Sequence, residues 1–110
     1  MKAFIFANRQ LIGFAHLVKG DIAMGGLYGQ FYPNEYYKLA VQGIVRQINN
    51  ALNLQSNKWS ALQLHAQLEN GHRLEPIGGI TLDDMAELPG EIIRIDIAGV
   101  DPQIISTYFP

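Results

Sequence analysis

The 110-residue sequence contains no cysteine, which excludes thiol catalysis, disulfide bonds, thiolate zinc sites and iron–sulfur clusters. It is also poor in charge, since charged residues make up 16% of the chain, against about 25% in an average globular protein. Hydrophobic residues make up 48%, so the chain can form a packed core and intrinsic disorder is excluded. No apolar run approaches the roughly 18 residues that span a membrane, so we expect no membrane partner.

Net charge is nearly absent as well. Eight basic and ten acidic residues give a formal charge of −2, which argues against a nucleic-acid partner recognised through overall charge. The apolar run Ala3–Ala7 ends at Asn8-Arg9-Gln10 and is too short for the apolar segment of a signal peptide. We therefore expect a cytoplasmic location.

Motifs for catalysis and cofactor binding are lacking too. No serine lies in a G-x-S-x-G elbow, and neither the glycine pair at 25–26 nor that at 78–79 continues into Gly-Lys-Ser/Thr. His16, His65 and His72 do not form an H-E-x-x-H pattern. We predict no catalytic residue, no metal site and no cofactor, and we favour a binding protein over an enzyme.

The chain length predicts a single domain over residues 1–110. Residues 2–7 and 11–18 are apolar on both alternating faces, which predicts two strands joined by a tight hairpin at Asn8. Such strands either lie buried on both sides or use one face against a helix and the other against a partner. One long helix cannot cover both faces of a sheet in so small a chain, so we expect a homodimer.

A long helix is predicted after Pro33, with Asn34 as its N-cap and Glu35 in its first turn. Apolar residues then recur at three- and four-residue steps: Tyr37, Val41, Ile44, Ile48 and Ala51. A polar stripe runs along the opposite side: Lys38, Gln42, Arg46 and Asn49. Three asparagines weaken the end, so the helix is expected to stop near Leu52 or Leu54.

The second half of the chain predicts a hairpin. Residues 62–68 alternate between apolar and polar, and a loop over Glu69–Gly71 would pair Ala66 with Leu74 in a second strand over His72–Ile77. After this hairpin, residues 81–88 resemble a short helix capped by Thr81 and stopped by Pro89-Gly90.

Residues 91–100 show the clearest alternation in the sequence and predict a strand, with Ile93, Ile95 and Ile97 on one face. The tail 103–110 is too apolar to remain in water, so it forms an edge strand or docks against the sheet. The predicted fold is α+β: an antiparallel sheet of four to five strands, one long helix packed on one face and a short second helix, in the order β-β-α-β-β-α-β.

The segment 20–33 is rich in glycine and aromatic residues and has no clear period. We interpret it as an ordered loop with a short strand at Leu27–Phe31. Its aromatic residues Tyr28, Phe31 and Tyr32 either form a roof over the core or form a ligand-binding or interface loop.

Charge is distributed unevenly along the chain. Residues 1–60 carry a net charge of +4 and residues 61–110 a net charge of −6. Four acids lie close together in the second half: Asp83, Asp84, Glu87 and Glu91. They form either an ordinary solvated face or a docking patch for a basic protein.

Two hypotheses for function follow. The first is a noncatalytic protein-binding domain, such as a bacterial immunity protein, an antitoxin or an inhibitor, that binds a basic partner through the acidic patch. The alternative is a small-molecule-binding protein or a small enzyme with a pocket under the loop 20–33.

Overall fold

The computed structural model describes residues 1–50, 56–76, 78–84 and 92–110. Seven strands are present: β1 (Lys2–Ala7), β2 (Gln10–Lys19), β3 (Leu27–Pro33), β4 (Leu64–Leu68), β5 (Arg73–Leu74), β6 (Gly79–Asp83) and β7 (Ile93–Ala98). The helical elements are a 3-10 turn (Ile22–Met24), a π-helical segment (Tyr37–Val41), α1 (Gln42–Asn49), α2 (Ser56–Leu62) and α3 (Pro102–Tyr108). The π-helical segment and α1 together form one 13-residue long helix.

The strands form one antiparallel sheet, curled into a half-barrel, in the order β5-β4-β1-β2-β3-β7-β6. The predicted sheet of four to five strands is therefore wrong. Strand β3 occupies a central position, although the sequence suggested a loop that contained only a short strand. Its two faces carry Leu27 and Phe31 on one side and Tyr28 and Tyr32 on the other, so no apolar–polar alternation marks it as a strand.

The prediction of a short helix over residues 81–88 is also wrong for residues 81–84, the part that the structure describes. Residues 79–83 form strand β6, which pairs with β7 so that Ile80 lies opposite Ile97 and Leu82 opposite Ile95. Burial of these two aliphatic side chains outweighs the helix-capping tendency of Thr81. The rest of the predicted helix, residues 85–88, lies outside the described residues.

The turns and pairing registers of both predicted hairpins are confirmed. The strands of the second are shorter than predicted, since Leu62 belongs to α2, β4 begins at Leu64 and β5 comprises Arg73–Leu74. Asn8 has a φ of 56° in the two-residue turn between β1 and β2, a conformation that asparagine adopts more easily than most residues. In the second hairpin Ala66 pairs with Leu74, and Gly71 has a φ of 93° in the three-residue loop. The predicted strand with inward-facing Ile93, Ile95 and Ile97 is confirmed as β7.

The long helix begins as predicted, since Asn34 Oδ1 accepts a hydrogen bond from the Tyr37 backbone N–H at 3.0 Å. The π-helical segment widens its first turns and shifts the buried stripe, which comprises Tyr37, Val41, Val45 and Ile48. Ile44, which we predicted to be buried, is 42% exposed, and its neighbour Val45 is fully buried. The long helix ends at Asn49, and the predicted stop near Leu52 or Leu54 lies outside the described residues.

The core lies on one side of the curled sheet, between the strands and the long helix. The C-terminal tail forms α3 rather than an edge strand, and it docks on this core through Ile105 and Phe109. Asp101 caps α3 by accepting a hydrogen bond from the Gln103 backbone N–H at 2.8 Å. Within the described residues no helix is long and apolar enough to cross a membrane.

Candidate functional site

The two faces of the sheet differ in what covers them. Every strand contributes inward-facing residues to the buried core, and none of the outward-facing residues of β1, β2 and β3 belongs to it. We call the outward side the open face. It is defined by Lys2, Phe4, Phe6, Phe14, His16, Val18, Tyr28, Gln30, Tyr32, Arg94 and Asp96.

Aromatic side chains form the centre of the open face. Phe14 and Tyr32 are paired across β2 and β3, and their rings are stacked with centroids 4.9 Å apart. The His16 ring contacts both edge-on, at 5.8 Å from Phe14 and 5.9 Å from Tyr32. These rings are accessible, since Tyr32 is 37% exposed and His16 is exposed as well. The result is a continuous aromatic cluster that no described element covers.

A second aromatic contact extends this surface toward β4. Phe6 of β1 lies opposite His65 of β4 in the register, and their rings stack at 4.9 Å with only 5° between the planes. Cross-strand aromatic pairs of this kind stabilise a sheet by roughly 0.2–1 kcal/mol each. The open face therefore carries aromatic contacts over four neighbouring strands.

Cations lie on these rings. The Lys2 ammonium is 4.5 Å from the centroid of Phe14 and 5.3 Å from that of Phe4. The Arg94 guanidinium lies 4.6 Å from the centroid of Tyr28 and donates two hydrogen bonds of 2.9 Å to the Asp96 carboxylate. That hydrogen-bonded carboxylate raises the pKa of Arg94 above its ordinary value. A surface of tyrosine, phenylalanine and arginine has the composition of a protein interface.

The three aromatic residues predicted for the loop 20–33 do not share one face of the sheet. Phe31 points inward, is 1% exposed and contacts the Tyr37 ring edge-on at 5.2 Å. Tyr28 and Tyr32 point outward and belong to the open face. Alternation along β3 separates neighbouring aromatic residues onto opposite sides.

Two of the four predicted docking acids, Asp83 and Asp84, lie among the described residues, and they differ in exposure. Asp83 is exposed at the end of β6, where it lies opposite Arg94. Asp84 is only 4% exposed, so its carboxylate is not part of the molecular surface. The positions of Glu87 and Glu91 lie outside the described residues.

Asp84 joins the end of β6 to the long helix. Its carboxylate accepts hydrogen bonds from the Tyr37 hydroxyl at 2.7 Å, from the Gln42 side-chain amide at 3.0 Å and from Arg46 Nε at 3.3 Å. Its backbone N–H donates to Asn49 Oδ1 at 2.7 Å. Burial, and then the hydrogen bond to Asp84, raises the pKa of Tyr37.

This cluster is a structural connection and not an active-site candidate. Each polar group in it is hydrogen-bonded, and every buried side-chain nitrogen and oxygen in the described residues has a partner. The polar stripe that the sequence predicts opposite the apolar face of the helix supplies three of the four side chains, Gln42, Arg46 and Asn49.

The three histidines make separate ring contacts. His16 and His65 belong to aromatic contacts, and the His72 ring contacts the Tyr108 ring with centroids 5.4 Å apart. In the described part of the chain no three His, Cys, Asp or Glu residues come close enough to hold a metal ion.

A groove of about 840 Å³ lies under the 3-10 turn of the segment 20–33. Backbone hydrogen bonds of 3.0 Å from Gly99 N–H to Met24 O and from Val100 N–H to Gly25 O hold the turn in place. Gly25 has a φ of 62°, and a Cβ there would lie 2.5 Å from the Val100 carbonyl oxygen. The groove is lined by Ala23, Met24, Gly25, His72, Arg73, Leu74, Glu75, Gly99, Val100, Asp101, Pro102 and Ile104.

Three residues of the open face were not predicted from the sequence: Phe4, Phe14 and His16. The sequence did indicate such a face. Residues 2–7 and 11–18 are apolar on both alternating faces, and one of the two interpretations placed a partner on the second face. Hydrophobicity alone did not distinguish the face that is buried from the face that is open.

Comparisons with known proteins give no relative: no protein-family model, no curated protein and no solved structure matches this chain significantly.

Proposed function

We propose that this chain is a noncatalytic protein-binding domain whose contact surface is the open face of its sheet. The observation that carries the proposal is the accessible cluster of Phe14, His16 and Tyr32 on the two central strands β2 and β3. Exposed aromatic patches with cations at their edge are typical of surfaces that a partner covers. An immunity-protein, antitoxin or inhibitor role is the form of this function that the sequence favours.

The aromatic centre of the open face supports a second copy of the chain as one partner. Lys2 lies on the β1 side, and Asp96, with Asp83 beyond it, lies on the β7 and β6 side. A two-fold axis parallel to the strands, running between β2 and β3, brings the β1 side of one copy over the β7 side of the other. Because Lys2 and Arg94 lie in one row of the register, Lys2 of each copy would then face the Arg94–Asp96 ion pair of the other, on both sides of a shared aromatic centre.

The same surface suits a basic partner protein on its β6 and β7 side, where the two acids Asp83 and Asp96 outnumber Arg94. This is the remaining support for the basic partner, because Asp84 is buried and cannot contribute. We also retain a cytoplasmic location as a proposal, supported by the role of the apolar run 3–7 as a central strand of the sheet.

The experiment is sedimentation equilibrium from low to high micromolar concentration. We expect the wild-type mass to rise from 12.3 kDa toward twice that value. Tyr32→Glu places a charge in the aromatic centre and should weaken association about tenfold or more. Leu39→Glu is the matched control, since Leu39 is 79% exposed on the outer side of the long helix.

A wild-type chain that stays at 12.3 kDa would exclude the second copy, and the search for a partner would move to co-purification from the native host. In that experiment Tyr32→Glu should lose the partner and Leu39→Glu should keep it. If both variants retain every partner, the open face is not the contact surface.

A second candidate function is small-molecule binding in the groove under residues 23–25. Its volume of about 840 Å³ lies within the range of ligand pockets, and its lining combines apolar residues with Arg73 and Glu75. Ile104→Glu would introduce a charge at the apolar wall, and a ligand-induced increase in melting temperature would then disappear. Tyr32→Glu should leave that increase unchanged.

A further inference from the structure

A smaller cleft lies at the end of the β1–β2 hairpin, beside the turn that joins α2 to β4. The two turns are connected through Asn8, whose backbone N–H donates to the carbonyl oxygens of Leu62 and Gln63, both at 3.1 Å. The Gln63 backbone N–H donates in turn to the Ser60 carbonyl oxygen at 3.1 Å. These hydrogen bonds fix the walls of the cleft without any ligand.

The backbone of this cleft is unusual. Among the described residues only two non-glycine residues have a positive φ, Asn8 at 56° and Gln63 at 47°, and both line the cleft. Asparagine tolerates this conformation, but glutamine adopts it rarely, because its Cβ then lies too close to the following carbonyl oxygen. Conformations of this kind cluster at binding and catalytic sites, where the surrounding structure holds them.

The lining of the cleft has one sign of charge. Its volume is about 320 Å³, and it is lined by Asn8, Arg9, Gln63, Leu64, His65 and Arg73, with no carboxylate among them. The two ion pairs in the described part of the chain involve Arg46 and Arg94, so neither Arg9 nor Arg73 is paired there. Both arginines are exposed and can move toward a ligand.

Hydrogen-bond donors surround the same space. Two guanidinium groups offer planar pairs of N–H donors, and the side-chain amides of Asn8 and Gln63 add two more donors. His65 Nδ1 lies 3.4 Å from the Gln63 carbonyl oxygen, which leaves its other ring nitrogen for a ligand. Arginine pairs on a concave surface recognise oxyanions through two parallel hydrogen bonds.

We propose that this cleft binds a phosphate group, in which Arg9 and Arg73 donate to the phosphate oxygens from two sides. A phosphomonoester on a small metabolite and a phosphorylated side chain of a protein present the same chemistry to it. The inference is independent of the open face: the cleft can bind phosphate whether or not the open face binds protein.

The first experiment titrates the uniformly ¹⁵N-labelled protein with inorganic phosphate, against chloride at equal ionic strength, by amide chemical shifts. We expect saturable shifts at Asn8, Gln63 and His65 with phosphate and none with chloride. Replacing both arginines, Arg9→Gln with Arg73→Gln, should weaken binding about tenfold or more. The control, Lys38→Gln with Lys58→Gln, removes two exposed charges elsewhere and should bind as the wild type does.

Two further titrations distinguish the sources of the phosphate. Glycerol 3-phosphate represents a metabolite, and a phosphoserine peptide is compared with its unphosphorylated form. Binding of either, abolished by the arginine substitutions, supports the proposal and names the source. Shifts that are absent, or that persist equally in the double arginine variant, overturn it, and the amide dispersion of each variant establishes that it is folded.

Discussion

The two faces of the sheet are made by the same strands and yet use different side chains. On the inward face aliphatic residues predominate, as Ile5, Leu17 and Ile95 illustrate, and these pack at high density against the long helix. On the open face the exposed and half-exposed residues are largely phenylalanine, tyrosine and histidine. Both faces are apolar, so hydrophobicity does not separate them, but the choice between aliphatic and aromatic side chains does.

This difference has a physical basis. Branched aliphatic side chains fill a core in few rotamers and have no polar atom that needs a partner. Tyrosine and histidine combine a large contact area with a polar tip that remains in water, which suits a surface that is sometimes covered and sometimes free. A face built in this way can remain exposed in the isolated chain and still contribute to binding.

The largest effect on the free energy of unfolding should come from alanine substitution of two neighbouring aromatic residues, one on each face of the sheet. Phe31→Ala removes a fully buried ring and should lower the free energy of unfolding by about 3 kcal/mol or more. Tyr32→Ala, one residue along β3, should cost less than about 1 kcal/mol in the free chain. Urea denaturation measures both, and equal losses would mean that the open face is covered in solution.

Neighbouring acids provide the next comparison. Asp84→Asn removes the negative charge that accepts hydrogen bonds from Tyr37 and Gln42. We expect this change to lower the free energy of unfolding by about 2 kcal/mol. The contribution of Arg46 is small because its side chain is 37% exposed. Asp83→Asn is the control on the outward side and should change stability by less than about 0.5 kcal/mol in the same denaturation experiment.

Tyr37 should make stability depend on alkaline pH. Burial and the hydrogen bond to Asp84 raise its pKa above the ordinary 10.0. The unfolded chain therefore releases this proton as the pH rises past 10, while the folded chain keeps it. The contribution of the Tyr37 proton to stability is complete below pH 10. Above pH 10 the free energy of unfolding should fall by up to about 1.4 kcal/mol per pH unit.

The variant Tyr37→Phe tests this dependence, because phenylalanine has no proton to lose. Denaturation midpoints between pH 9 and pH 11 should fall less steeply for the variant than for the wild type. Tyr32→Phe, on the open face, serves as the control and should keep the wild-type slope. Identical slopes in all three proteins would contradict the predicted role of Tyr37.

The smallest effect on folding is expected for Arg94→Gln. Arg94 and Asp96 are 53% and 46% exposed, and solvent screening leaves such a pair worth at most about 1 kcal/mol. In sedimentation equilibrium the same change should strengthen self-association several-fold, because it removes a cation that faces Lys2 of the second copy and leaves Asp96 free to attract it. Loss of stability with unchanged association would assign this pair to the fold alone.

Local signals in the sequence predicted the local elements correctly. Both hairpins followed from asparagine and glycine at their turns, and β7 followed from the alternation of Ile93, Ile95 and Ile97. Asn34 marked the start of the long helix through its side-chain hydrogen bond to Tyr37. In each case the residues that determine the element lie within a few positions of one another.

The remaining features depend on contacts between distant parts of the chain. Strand β6 forms because β7 pairs with it, and the capping residues Thr81 and Asp83 gave the opposite signal. The burial of Asp84 depends on three donors of the long helix at least 38 positions away, Tyr37, Gln42 and Arg46. The π-helical segment, which no residue pattern announced, rotates those polar side chains toward it. The open face is a similar case, since only the sheet order shows which apolar face is left uncovered.

The order of the strands has a consequence for the path of folding. Strands β1, β2 and β3 are sequential neighbours and pair through short connections, so they can assemble before the rest of the chain is available. Strands β4 and β7 join opposite edges of this unit after about sixty residues of intervening chain, and closing those loops costs more entropy. The half-barrel should therefore grow outward from its N-terminal third, with the aromatic pair Phe14 and Tyr32 formed at the start and the two edges added last.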